Sequence, residues 1–158
     1  MVGRWVGDGW FYYKQEKLYG IKICCSKKET EELQNLLLQS EYHFSLSHED
    51  TTDKFEIDNI ELANFLFNNF GKGAGGKHLP GFVTRLPSNL ALSFLKGYFD
   101  ADGHYSTNRI SYDTISEDLV YGIKYMVNKY YKVGCGITFN DNSNRQVIQG
   151  RQVNAKDS

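Results

Sequence analysis

The chain has almost no net charge: 18 Lys and Arg stand against 19 Asp and Glu, which leaves −1 over 158 residues. That balance removes any global basic signal for nucleic acid and leaves only local charge to supply one. No apolar run is long enough to span a membrane and no secretory signal opens the chain, so an intracellular protein without a membrane partner is expected. Cysteine is scarce. Cys24, Cys25 and Cys135 form an odd count without zinc spacing and read as free thiols in strands, in a reducing compartment. His43, His48, His78 and His104 show no ligand pattern. Gly71–Gly76 is glycine-rich and precedes Lys77, but His78 stands where a phosphate loop needs Ser or Thr.

What is present is enough chain for one domain, or one duplicated domain, with a real core. Aromatic content is 15%. Charge is segregated. Lys14, Lys17, Lys22, Lys27 and Lys28 lie in the first strand region, Arg109, Arg145 and Arg151 in the second, and acids gather at 29–32 and 49–61.

Two stretches share a pattern. Gly3-Arg4-Trp5-Val6-Gly7-Asp8-Gly9 and Gly97-Tyr98-Phe99-Asp100-Ala101-Asp102-Gly103 both place a glycine, a small residue four later, then Asp and Gly. The second closes a helix whose Leu90, Leu92, Phe94 and Leu95 load one side. Small residues four apart let another helix approach closely, which makes Gly3, Gly7, Gly97 and Ala101 the expected packing positions. An acidic residue at a helix C-terminus opposes the helix dipole and calls for an offsetting positive charge, best met by a divalent cation. The duplication implies two similar halves whose acidic-tipped helices pack together and bring Asp8 beside Asp102.

The elements follow from pattern. Residues 1–8 end a helix, and 10–15 and 19–25 are strands around a connection at 15–18. Ser26–Glu29 has capping-box spacing before a helix through Leu33, Leu36 and Leu37. Residues 42–46 and 54–57 form a hairpin across the turn 47–53. Residues 59–70 form a helix with Ile60, Ala63, Phe67 and Phe70 on one side. Residues 104–107 and 109–112 form a second hairpin. Thr114–Glu117 has capping-box spacing before a helix through Leu119, Ile123 and Met126. Residues 133–139 and 145–149 are strands around a turn at 140–144. The domains are then a first half at 1–70, a linker at 71–86, a second half at 87–149 and a polar tail at 150–158. The turn before the first motif and the helix closing the second half are both missing, so the chain looks clipped at both ends and self-association is expected.

LKGYFDADG at 95–103 resembles the signature of LAGLIDADG homing endonucleases, and MVGRWVGDG at 1–9 resembles a degenerate first copy that keeps Gly3, Asp8 and Gly9. Lys77-His78-Leu79-Pro80 is similar to the Lys-x-hydrophobic-Pro element before the second motif in the intein-associated branch. The resemblance implies an α+β fold of two pseudo-symmetric αββαββα halves, the second incomplete, with antiparallel four-stranded sheets forming a saddle over duplex DNA. It implies a single chain that cuts double-stranded DNA at a long asymmetric site with magnesium. Asp8 and Asp102 are the implied catalytic pair. Metal positions fall on Asp8, Asp102, Gly7 and Ala101. Lys77 either polarises the attacking water or is a linker lysine touching a backbone phosphate. Asp100 is read as helix-end structure or as support behind the metal ligands. Expected DNA contacts are Lys14, Lys17, Lys22, Ser106, Asn108, Arg109 and Arg145, with Tyr13, Gln15 and Gln146 at alternate polar positions.

A second class stays open, a non-catalytic DNA- or RNA-binding module on the same scaffold. A splicing element is limited directly: the chain has no N-terminal nucleophile and no His-Asn end, so by itself it should not splice, although it could be the endonuclease portion of an intein.

Overall fold

The computed structural model describes residues 1–139, together with 147–148 and 151–152. The first half runs α1 (Val2–Asp8), β1 (Gly9–Lys14), β2 (Lys17–Ser26), α2 (Thr30–Leu38), β3 (Ser45–His48), β4 (Thr52–Ile57) and α3 (Ile60–Phe70). A single 3-10 turn, Val83–Arg85, precedes α4 (Ser88–Asp102), β5 (Gly103–Ser106), β6 (Arg109–Tyr112) and α5 (Glu117–Tyr131). A short pair, β7 (Val147–Ile148) and β8 (Arg151–Gln152), follows. The class is α+β, and the first half is the αββαββα unit that the sequence implies.

The first sheet is antiparallel in the order β1-β2-β4-β3. Its inner face carries Ile21, Ile23, Cys25, Phe55 and Ile57, all buried. These alternate with half-buried Lys22, Cys24, Lys54 and Glu56 on the outer face, as a sheet wet on one side requires. β1 and β2 join through Gln15 (φ 49°) and Glu16 (φ 63°), a two-residue left-handed turn, so β2 starts at Lys17. The β3–β4 hairpin sits further along than the apolar content suggests. Ser47 and His48 enter the ladder opposite Lys54 and Asp53, because buried Asp53 accepts bonds from Thr30 (2.6 Å) and pairs with His48 (2.9 Å).

Asn59 caps α3, its side chain accepting from the Leu62 amide at 2.8 Å. The buried face of α3 is Leu62, Ala63, Leu66 and Phe70. Ile60 and Phe67, expected there, are 53% and 36% exposed. The stripe is rotated because 62, 63, 66 and 70 follow the helical repeat back to the cap, while 60 and 67 lie beside it. On α4 the buried set is Ala91, Phe94, Leu95, Tyr98 and Phe99; Leu90 faces solvent and Leu92 is half-buried. Helix α5 starts later than the Thr114 box predicts. Ser116 is its cap, accepting from the Leu119 amide at 3.2 Å, while Thr114 accepts from the Ser116 amide at 3.1 Å.

The second half differs from the first. Its described strands form two separate pairs, β5–β6 and β7–β8, rather than a four-stranded sheet. The strand expected at 133–139 is absent. Gly134 and Gly136 there have nothing within 4 Å of a built Cβ, and although Cys135 between them packs against the core, the stretch has no ladder partner among the described residues to hold it extended. Of the expected strand at 145–149, Val147–Ile148 is in β7; residues 145, 146 and 149 and the turn at 140–144 lie outside the described residues.

Candidate active site

Helix α1 lies directly on α4. A Cβ built on Gly3 would stand 2.0 Å from the Phe94 carbonyl oxygen, and one on Gly7 would stand 2.4 Å from the Ala101 Cβ and 3.2 Å from Asp102 Oδ2. On the facing helix, a Cβ on Gly97 would reach the Arg4 amide nitrogen at 3.1 Å. The four small residues therefore sit at the crossing, and the approach depends on their lack of bulk. The crossing places the end of α1, with Asp8, against the end of α4, with Asp102.

Both carboxyls are half-buried. Burial pushes the Asp8 carboxyl up to about 6, and the negative charge of Asp102 pushes the same way, against Arg4 and Lys77. The Asp102 carboxyl is also raised, again by burial first, with Lys77 and Arg4 opposing. Two acids held together in a partly dry site resist ionising together, which favours a bound cation.

Lys77 is 6% exposed and does not point at solvent. Its Nζ donates to the carbonyls of Gly9 (2.7 Å), Val6 (2.8 Å), Trp5 (3.0 Å) and Gly7 (3.3 Å). These lie at the end of α1; the Trp5 carbonyl also accepts from the Gly9 amide, and the later ones lie beyond the last helical hydrogen bond. The ammonium thus supplies positive charge where the dipole of α1 and Asp8 need it. Burial pulls its pKa down to about 8, while Asp102 and Asp8 pull it up. Its three protons face four acceptors, so none is free for a water.

The end of α4 is held from the other side. Buried Arg4 donates through Nη1 to the Asp100 carbonyl at 2.5 Å and through Nη2 to Glu29 Oε1 at 2.8 Å. Glu29 in turn accepts from the Ser26 amide (3.1 Å) and hydroxyl (2.5 Å). Only this half of the expected Ser26–Glu29 box forms, because the Glu29 amide donates to the Ser26 carbonyl and not to its hydroxyl, and α2 starts at Thr30 without a side-chain cap. Asp100 turns its carboxylate outward to Lys96 at 2.6 Å. Arg4 was not singled out from sequence, although a lone charge between Gly3 and Trp5 on an apolar helix is a visible signal.

The expected DNA contacts divide into two groups. On the outer face of the first sheet, Lys22 pairs with Glu56 at 2.9 Å and Lys14 pairs with Asp58 at 3.3 Å. Lys14 also lies 3.7 Å from the Tyr19 ring centroid, and Lys22 lies 4.9 Å from that of Tyr12. Lys17, Tyr13 and Gln15 are exposed at the tip of the β1–β2 hairpin. In the second half, Ser106, Asn108 and Arg109 are exposed at the tip of β5–β6, where Ser106 Oγ donates to the Arg109 carbonyl at 3.1 Å. Arg145 and Gln146 lie outside the described residues. The acidic partners Glu56 and Asp58 were not foreseen, since pairing across strands depends on register. No helix among the described residues is long and apolar enough to cross a membrane.

Residues 89–149 match the family model of a LAGLIDADG-like domain. The chain is 30% identical over 119 residues to a DNA polymerase of Thermococcus hydrothermalis and 31% identical over 117 residues to one of Thermococcus sp. (strain GE8). Each match covers 69% of this chain, which spans only 7% of the length of either polymerase. Among solved structures, I-DmoI in complex with DNA and Mn superposes with a TM-score of 0.64 at 17% identity, over 89% of this chain and 80% of that one. A mesophilic variant of the homing endonuclease I-DmoI gives 0.66 at 17% identity, over 90% and 75%. At that identity the likeness is one of fold.

Proposed function

Since this chain belongs to the LAGLIDADG family, we propose that it is a site-specific, metal-dependent endonuclease of double-stranded DNA, with Asp8 and Asp102 as its catalytic pair. The observation that carries this reading is the junction of the two acidic tips, at which Gly7 and Ala101 meet and both carboxyls have raised pKa values. The solved relatives hold DNA together with Mn or Ca, which supports the same partner and a divalent ion here.

The residues present fit such an ion. Two carboxylates, with backbone carbonyls nearby, are hard oxygen donors of the kind magnesium takes. No group of three or more His, Cys, Asp or Glu side chains converges among the described residues, so further positions fall to water and phosphate oxygens. A bound divalent ion supplies charge neutralisation at the scissile phosphate and an acidified water. The carboxylates of Asp8 and Asp102 hold that ion and orient the water. Gly7 and Ala101 give the two tips room to meet. The outer face of the first sheet and the tip of β5–β6 lie against the duplex and fix its register. One chain supplies both tips, so it acts as a monomer.

A 7% share of a polymerase fits an inserted element better than polymerase machinery, which supports an intein-type origin. The rival reading, a DNA- or RNA-binding module without cleavage, is favoured by the complete engagement of Lys77 with backbone carbonyls. Plasmid cleavage with matched duplex binding separates the two. The endonuclease cuts with magnesium, and Asp8→Asn or Asp102→Asn stops cutting but leaves binding in calcium intact. A wild-type chain that binds duplex but does not cut it, whichever divalent metal is supplied, is the binding module.

A further inference from the structure

Lys77 is fixed at both ends. Its ammonium is spent on the carbonyls of α1, and its own backbone carbonyl accepts a hydrogen bond from Ser116 Oγ at 2.5 Å. Ser116 is buried, and the same oxygen caps α5 by accepting from the Leu119 amide. A continuous chain of bonds therefore runs from the first turn of α5, through Ser116 and Lys77, to the end of α1 beside Asp8. It joins a helix of the second half to the acidic tip of the first. Nothing else in this chain of bonds requires Ser116 to be a donor, because its cap role uses it as an acceptor.

We propose that Ser116 and Lys77 are positioning residues: Lys77 gathers the free carbonyls of α1, and Ser116 holds Lys77 in place. The position of Asp8, and with it the affinity of the paired tips for a divalent ion, then depends on α5. The proposal rests on the reading of Asp8 and Asp102 as the ion-binding pair. In this role Lys77 touches neither water nor phosphate, and its contribution comes through Asp8.

Ser116 offers a clean test, because its variants leave the charge of Lys77 untouched. Mn2+ affinity, measured by electron paramagnetic resonance on the DNA-free chain, reports the carboxylate pair without any need for turnover. Ser116→Thr keeps both donor and cap and should bind Mn2+ as the wild type does. Ser116→Asp keeps the cap acceptor and removes the donor; it should lose about tenfold in affinity, the loss typical of disturbing a group behind a metal ligand. Ser116→Ala should lose as much or more. If it fails to fold, the Asp variant decides, since α5 remains capped. Folded Asp and Ala variants that bind Mn2+ at the wild-type affinity overturn the proposal, as does a Thr variant that loses as much as Asp. A wild-type affinity that Asp8→Asn leaves unchanged would mark failure of the site assignment itself.

Discussion

Helix α1 has 7 residues and α4 has 15, yet each delivers one carboxylate to the same junction. The long helix is anchored by its own buried face, from Ala91 to Phe99. It needs one carbonyl bonded by Arg4, and its outer Asp100 is answered by Lys96, a side chain 63% exposed. Helix α1 instead depends on a buried lysine from the segment between the halves, which gathers the carbonyls at its end. Equal motifs thus have unequal support: a buried ammonium holds the end of α1, and a buried guanidinium with a solvent-exposed lysine holds the end of α4.

The sharpest way to break the comparison is at the glycines. Sequence treats Gly3 and Gly97 as equivalents, but their surroundings differ. Gly3→Ala drives a Cβ into the Phe94 carbonyl and should cost about 3 kcal/mol or more, because backbone must move. Gly97→Ala meets the Arg4 amide at 3.1 Å, and the helical preference of Ala offsets part of the strain, so its cost should stay within about 1 kcal/mol. Urea unfolding of the two variants measures both. Equal losses would erase the asymmetry.

Next in size are the two lysines. Lys77→Met takes away the ammonium that the Val6, Gly7 and Gly9 carbonyls share and should destabilise by about 3 kcal/mol. Lys96→Met removes the two ion pairs that this solvent-exposed lysine makes with Glu32 and Asp100 and should cost about 0.5 kcal/mol or less. Thermal melts suffice to compare them.

Much of this architecture was legible from sequence. Two Gly-to-Asp motifs at the same spacing indicated both the crossing and the junction, because a close helix contact leaves its mark in small residues. The first half could be read because its strands alternate and Asn59 announces α3. In the second half the β5–β6 hairpin and α5 could be read in the same way, but the stretch from 133 to 139 could not, because the two glycines at 134 and 136 do not interrupt its apolar and β-branched pattern. The role of Lys77 was hidden for another reason. A lysine after a glycine-rich stretch reads as a ligand for phosphate or water, and only tertiary contact shows that its partners are the carbonyls of a helix 68 to 72 positions earlier. Register likewise hid Glu56 and Asp58, which neutralise lysines that look free in the sequence.

Acidity sharpens the picture of α1. With its pKa raised from 3.8 to about 6, Asp8 binds a proton in the folded state over a range where the unfolded chain does not. In the metal-free protein this contribution is complete below about pH 4 and is lost as pH rises through about 6. Solvent reaches part of the group, so the change should be about 1 kcal/mol. Stability followed from pH 4 to 7 should decline by that amount in the wild type and less in Asp8→Asn.

The smallest effect compares the two DNA-facing regions. Glu56→Gln frees the charge of Lys22 and should tighten non-specific duplex binding, steepening the slope of log affinity against log salt by up to about 0.9. Arg109 has no ion pair among the described residues, and Arg109→Ala should flatten the slope by a similar amount. Salt titrations of both variants show whether the first sheet is the less electrostatic of the two.

The most direct test of the account is a Mn2+ titration of the wild type, Asp8→Asn, Asp102→Asn and the double variant, each checked for folding. If the two tips form one ion-binding site, either single substitution lowers the affinity by about tenfold or more, and the double variant no longer binds at the junction. The contradicting result is one Asn variant that binds as tightly as the wild type while the other loses the ion, for then a single tip would hold the metal and the meeting of α1 with α4 would not be what makes the site.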